Sequence, residues 1–145
     1  ENFALILAGG AAHRPGKRWA GEKYQAVAKH LAAHQIQPIF LGGEEERSLL
    51  TGLSAEVPGS MSLAGETTTS ELFALAREAK LAIGNDTGPM HVAAATGCKT
   101  IVLYSAASDP ALCAQRGADV TIHRVEYLKD LAVETVTSDL ALAAT

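Results

Sequence analysis

The chain has 145 residues, 48% of them hydrophobic and 19% charged, and a formal net charge of −4. That length fits one domain able to bury roughly two thirds or more of its unfolded surface. The composition excludes a disordered chain, the lack of any apolar run of about 18 residues excludes a helical membrane span, and the acidic balance argues against a broad grip on nucleic acid.

Short apolar runs alternate with helical periodicity along the chain. The first, Phe3 to Leu7, is a strand, and no signal peptide stands ahead of it, an abrupt start expected of a segment of a longer protein. After a glycine-rich loop, Tyr24, Val27, Ala28 and Leu31 fall at i, i+3, i+4 and i+7 and predict an amphipathic helix. Further strands are expected at Pro38 to Leu41, Met61 to Leu63, Leu81 to Gly84, Thr100 to Leu103 and Val120 to His123. Leu72, Leu75, Ala76 and Ala79 repeat the helical spacing, with Thr68 and Glu71 as a capping box ahead of them. Gly97 stands where the next helix should stop, and a last helix is expected over about Val133 to Ala143. Cys98 and Cys113 read as reduced packing residues, which favours the cytoplasm.

Strand and helix alternating six times, with strands apolar almost throughout, predict a doubly wound α/β fold: a parallel sheet, Rossmann-like, covered on both faces. Ligands in such sheets bind at the carboxyl ends of the strands, near the crevice where strand order reverses. Four loops should line that edge: Ala8 to Ala20, Gly42 to Glu46, Gly65 to Thr69 and Gly84 to Gly88.

The first loop, AGGAAHRPGKRWA, carries His13, Arg14, Lys17 and Arg18. It is not a Walker loop, because five residues separate Gly10 from Gly16 and Arg18 stands where a magnesium-binding hydroxyl is required. No G-x-G-x-x-G occurs either, which disfavours a dinucleotide-binding dehydrogenase. What remains is a cationic loop on the ligand edge.

The fourth loop, IGNDTGPMH, runs into a helix expected to have Gly88 as N-cap and Pro89 as its first residue. The Thr87 hydroxyl and the amides of Thr87, Gly88, Met90 and His91 would then cradle an anion. An ionised Asp86 aimed into that cradle would repel a phosphate by about 4 kcal/mol at roughly 4 Å with an effective dielectric near about 20. The helix dipole returns only about 0.3 to 1 kcal/mol, so Asp86 cannot share the phosphate's seat. Two readings stay open: Asp86 caps the helix, or it points past the phosphate and accepts from hydroxyls of an attached sugar while Lys17 neutralises the phosphates. A nucleotide sugar satisfies both loops.

The segments KRW, FLGGEEER and SLAGETTTSELFALAREAKLAIGNDTGPMH, continued by VAAATG, resemble the carboxyl-terminal half of bacterial glycosyltransferase family 9, the ADP-heptose:lipopolysaccharide heptosyltransferases. The likeness runs from about residue 3 to about residue 143, and Asp-Thr-Gly-Pro-Met-His is its most specific part. It implies a glycosyltransferase B architecture in which residues 1–145 form the nucleotide-sugar-binding domain. The amino-terminal domain of the same polypeptide would supply the acceptor site and the catalytic base, so no catalytic residue is expected here.

By the same resemblance, Lys17 contacts the diphosphate, Glu44 accepts from the ribose hydroxyls, and the Gly65 to Thr69 loop, with Thr68 as its candidate contact, flanks the nucleobase. Asp86, Thr87, Gly88 and His91 hold the phosphates and the sugar end. Glu45 and Glu46 lie beside Glu44, and which of the three meets the ribose stays open. Departures from the family are His13 and Ala12 where a Ser or Thr is usual, Ala20 where a proline is, and SAASDP after the fifth strand.

The implied activity is inverting transfer of heptose from ADP-heptose to a lipopolysaccharide-type acceptor, without a cofactor or metal. The absence of Asp-x-Asp agrees with the metal-independent type. The expected location is the cytoplasm, at the inner face of the inner membrane of a Gram-negative bacterium, with peripheral membrane association confined to the full protein. The alternatives are a non-catalytic nucleotide-binding domain and half of a nucleotide-sugar epimerase.

Overall fold

A computed structural model describes residues 2–8, 21–85, 88–104, 120–124 and 131–137. Among them, six strands form one sheet in the order β3-β2-β1-β4-β5-β6. They are β1 (Phe3–Leu7), β2 (Gln37–Phe40), β3 (Met61–Ser62), β4 (Leu81–Asn85), β5 (Thr100–Tyr104) and β6 (Val120–Arg124), each within a residue or so of its expected span. Every neighbouring pair runs parallel. β3 is shorter than expected because it is an edge strand, held by only the Ile39↔Met61 and Phe40↔Ser62 pairings.

The helices are α1 (Gly21–Ala33), α2 (Arg47–Ala55), α3 (Thr69–Glu78), α4 (Gly88–Ala95) and α5 (Val133–Thr137), with a 3-10 turn at Glu44–Glu46 leading into α2. Successive side chains of a strand point to opposite faces, and the two cores divide accordingly. Ala4, Ile6, Phe40, Ile83 and Ile101 pack with Tyr24, Val27, Ala28 and Leu31 of α1, Leu50 and Leu53 of α2, and Val136 of α5. Leu5, Leu7, Ile39, Ala82 and Val102 pack on the other side with Leu72 and Ala76 of α3 and Met90 and Ala93 of α4. Apolar runs buried on both faces are what a parallel sheet between helix layers requires.

The helix ends follow the expected chemistry with one correction. The Thr68 N–H donates to Glu71 Oε1 at 2.8 Å and the Glu71 N–H donates to Thr68 Oγ1 at 3.2 Å, a complete capping box. Beyond α4, Gly97 takes φ +86°, the left-handed conformation that ends a helix, and its N–H donates to Ala94 at 3.1 Å. At the other end, α4 begins on Gly88, one residue before the expected Pro89. A proline is tolerated throughout the first turn, whose N–H groups have no intrahelical acceptor, so it marks the turn and not the residue.

Cys98 is buried as a packing residue, its thiol 3.4 Å from the Lys99 carbonyl. Cys113 and the expected last helix beyond Thr137 lie outside the described residues.

Candidate functional site

The order of the strands fixes where the ligand edge is. The chain builds outward from β1 through β2 to β3, then returns to the other side of β1 and builds outward again through β5 to β6. The reversal falls between β1 and β4, which are direct neighbours with Leu7 opposite Gly84. The carboxyl ends of β1, which Lys17 follows in the sequence, and of β4, which Asp86 and Thr87 follow, therefore lie at the same level on strands about 4.8 Å apart. Lys17, Asp86 and Thr87 themselves lie outside the described residues, as do His13 and the rest of residues 9–20.

Gly84 explains how α4 comes so close to this edge. A Cβ there would lie 2.7 Å from the Leu7 carbonyl oxygen and 3.0 Å from Met90 Sδ. Only a residue without a side chain lets β4, β1 and the first turn of α4 meet at that separation. The fully buried Met90 then anchors the turn. Of that turn's residues, Gly88 and Met90 carry amides and Pro89 has none, while His91 is exposed. His91 opens onto a shallow groove of about 480 Å³ between α3 and α4, lined also by Ser70, Phe73, Val92 and Ala95.

The loops after β2 and β3 are tied to the same edge. The Leu63 N–H donates to Phe40 at 2.9 Å and the Gly65 N–H to Gly42 at 2.8 Å, extending the β2–β3 ladder past the end of the strands. The three glutamates after β2 take separate places. Glu46 is buried and its Oε1 accepts from the Gly43 N–H at 2.9 Å. Glu45 folds back over Gly43, where a Cβ would be 2.8 Å from its Oε1. Glu44 is exposed and faces the β3 loop, its two oxygens accepting from Arg47 Nη2 at 2.7 Å and Nε at 2.9 Å. That fork of hydrogen bonds, reinforced by the guanidinium charge, holds the Glu44 carboxyl below the usual carboxylate range and raises Arg47 in turn.

Gly65 closes against this pair. Its φ is +73°, and a Cβ on it would lie 2.6 Å from Glu44 Oε1 and 2.9 Å from Arg47 Nη2. Gly65→Ala is expected to lower the urea midpoint by the equivalent of about 1 kcal/mol from backbone strain, and to weaken nucleotide affinity by moving Glu44. Unchanged midpoint and unchanged affinity would show that the loop absorbs a methyl group without disturbing the pair.

Thr68 sits at the N-cap of α3, exposed, with its hydroxyl oxygen occupied by the cap and its proton left to donate. Of the candidate residues, Glu44, Thr68, Gly88 and His91 are thus on or beside the carboxyl edge. Arg47 was missed by sequence reasoning. Its signal was an arginine three residues after Glu44 at a helix start, the spacing at which side chains on one helix meet. Among the described residues, no group of three or more His, Cys, Asp and Glu side chains is placed to hold a metal ion, and no helix is long and apolar enough to cross a membrane.

This fold and edge define the class: a Rossmann-like α/β domain of the kind paired in glycosyltransferase B enzymes. Residues 2–138 match glycosyltransferase family 9 (heptosyltransferase), and the chain belongs to that family. It is 33% identical over 104 residues to lipopolysaccharide heptosyltransferase 2 of Salmonella typhimurium, a match covering 68% of this chain and 30% of that protein. Lipopolysaccharide core heptosyltransferase OpsX of Haemophilus influenzae is 33% identical over 94 residues, covering 61% and 26% of the two chains. The E. coli ADP-heptose lipopolysaccharide heptosyltransferase II structure superposes with a TM-score of 0.87 at 26% identity, over 98% of this chain and 46% of that one. The fold is shared as well with E. coli heptosyltransferase WaaC with ADP, at a TM-score of 0.87 and 22% identity. The chain thus spans less than half the length of these relatives.

Proposed function

We propose that this chain is the nucleotide-sugar-binding half of an inverting heptosyltransferase that takes ADP-heptose as donor and builds the lipopolysaccharide inner core. The observation that supports the reading best is the pairing of β1 with β4 at the reversal of strand order, which sets the end of β1, ten residues before Lys17, beside the end of β4 and the start of α4. Solved family-fold relatives carry ADP and ADP-2-deoxy-2-fluoro heptose. The same ligand class is assigned here on that likeness and on the residues of the crevice.

In this reading Lys17 and the amides that open α4 take the diphosphate, with Thr87 and Gly88 against it. Asp86 is displaced sideways to the sugar, and His91 stands at the sugar end. Glu44 accepts from the ribose, because Glu46 is committed to Gly43 and Glu45 lies back over it. Thr68 and its loop flank the base. The chemistry these residues perform is stabilisation of the departing diphosphate by a fixed cation and fixed amides, which need no reorganisation as charge develops and require no metal. The base that deprotonates the acceptor hydroxyl belongs to the amino-terminal half of the parent protein, which works at the cytoplasmic side of the inner membrane.

The test is calorimetric titration of the chain with ADP, followed by a transfer assay with ADP-heptose and a lipopolysaccharide-core acceptor. One ADP is expected to bind, and no heptose to be transferred by the chain alone. Full-sized transfer by these residues would place the base within them. Conversion of ADP-heptose without acceptor would mark an epimerase half instead.

A further inference from the structure

We propose that Arg47 is a positioning residue, holding the Glu44 carboxylate so that one oxygen accepts from the ribose 2′-hydroxyl and so setting a preference for ribonucleotides over 2′-deoxyribonucleotides. The inference rests on the nucleotide reading above and adds to it the device that makes Glu44 selective.

Three observations carry it. First, the guanidinium takes both oxygens of Glu44 at once, at 2.7 and 2.9 Å. That fork takes the inward position of both oxygens and leaves one outward position on each, pointing apart, so a single Glu44 oxygen is presented to accept from one ribose hydroxyl. Second, Arg47 is itself held from the neighbouring loop, its Nη1 lying 3.7 Å from Glu66 Oε2, while Gly65 packs against the pair with no room for a side chain. Third, stability gives little reason for an arginine there. It is the first residue of α2, where a positive charge opposes the helix dipole, and the side chains of Arg47 and Glu44 are 45% and 71% exposed, a setting in which ion pairs contribute little.

The physical consequence is preorganisation. An exposed glutamate has several rotatable bonds to fix before it can meet a ribose hydroxyl, and the Arg47 fork fixes them in advance. A site built to accept from a hydroxyl discriminates against the analogue lacking it, because the acceptor is left unpaired. If the carboxylate swings freely, it relaxes into water and that penalty disappears.

The experiment compares ADP with 2′-deoxy-ADP by titration calorimetry on the 145-residue chain and its Arg47→Ala and Arg47→Lys variants. Wild type is expected to prefer ADP by at least about tenfold, Arg47→Ala by no more than about threefold, and Arg47→Lys, which keeps the charge but not the fork, to fall between. Affinity for 2′-deoxy-ADP should change by less than about threefold in Arg47→Ala, a result that general damage to the site would not give. Arg47→Gln serves in its place if the alanine variant fails to fold. Retention of the wild-type preference by Arg47→Ala overturns the proposal while leaving nucleotide binding intact, as does equal binding of both nucleotides by wild type. Failure of wild type to bind either nucleotide overturns the functional reading itself.

Discussion

Heating the chain with ADP at roughly 100 times its dissociation constant is expected to add about 2.7 kcal/mol of stability, and Lys17→Ala to remove most of that gain. For a domain of this size the addition corresponds to a rise in Tm of roughly 5 to 11 °C. The lysine is expected to dominate because the described residues at this edge supply little other positive charge. The helix dipole supplies about 0.3 to 1 kcal/mol at the first turn, and Pro89 removes one of that turn's amides. Arg47 is already engaged by two carboxylates. Lys17→Ala should leave the Tm without nucleotide unchanged, which separates loss of a contact from loss of fold. An ADP-induced shift of wild-type size in the variant would assign the charge compensation to Arg14 or Arg18.

The largest effect on the apo domain is expected from Phe40→Ala, at about 3 to 5 kcal/mol. Phe40 is fully buried, stands opposite Ile6 in the sheet and is among the largest side chains of the core shared with α1 and α2. Truncation leaves a cavity between a strand ladder and two helices, neither of which can collapse into it without breaking its own hydrogen bonds. Against a typical total of about 5 to 15 kcal/mol, the loss consumes a large part of the margin. Urea unfolding should show a lower midpoint with an unchanged slope. The site would feel it too, since β2 ends at Phe40 and carries the Glu44 loop. A loss below about 1 kcal/mol would mean that this face of the sheet is loosely packed, contrary to its burial.

The elements whose burial is periodic were legible in the sequence. Tyr24, Val27, Ala28 and Leu31 are all fully buried on α1, as their spacing required. The Thr68–Glu71 box and Gly97 are local chemistry that tertiary packing did not override. Strand order was not legible, because continuous apolar strands look alike whichever neighbour they take. The exact start of α4 was blurred by a proline compatible with several positions of one turn. At the site, residue type marked Glu44 as an acceptor, but three adjacent glutamates are equivalent until the chain bends. The 3-10 turn at Glu44–Glu46 separates them, turning Glu46 inward and Glu44 toward Arg47. The resemblance to glycosyltransferase family 9, read from the Asp-Thr-Gly-Pro-Met-His segment and its companions, agrees with the family match. The roles of Lys17, Asp86 and Thr87 are proposed from that resemblance and from the strand order, which sets the ends of β1 and β4 side by side.

The most direct measurement is a crystal structure of the chain grown with ADP. The diphosphate should lie between the Lys17 ammonium and the amides opening α4, in the crevice beyond Leu7 and Gly84, with the Asp86 carboxylate turned away from it. A diphosphate bound elsewhere, or bound in that crevice with Lys17 remote from it, would contradict the account.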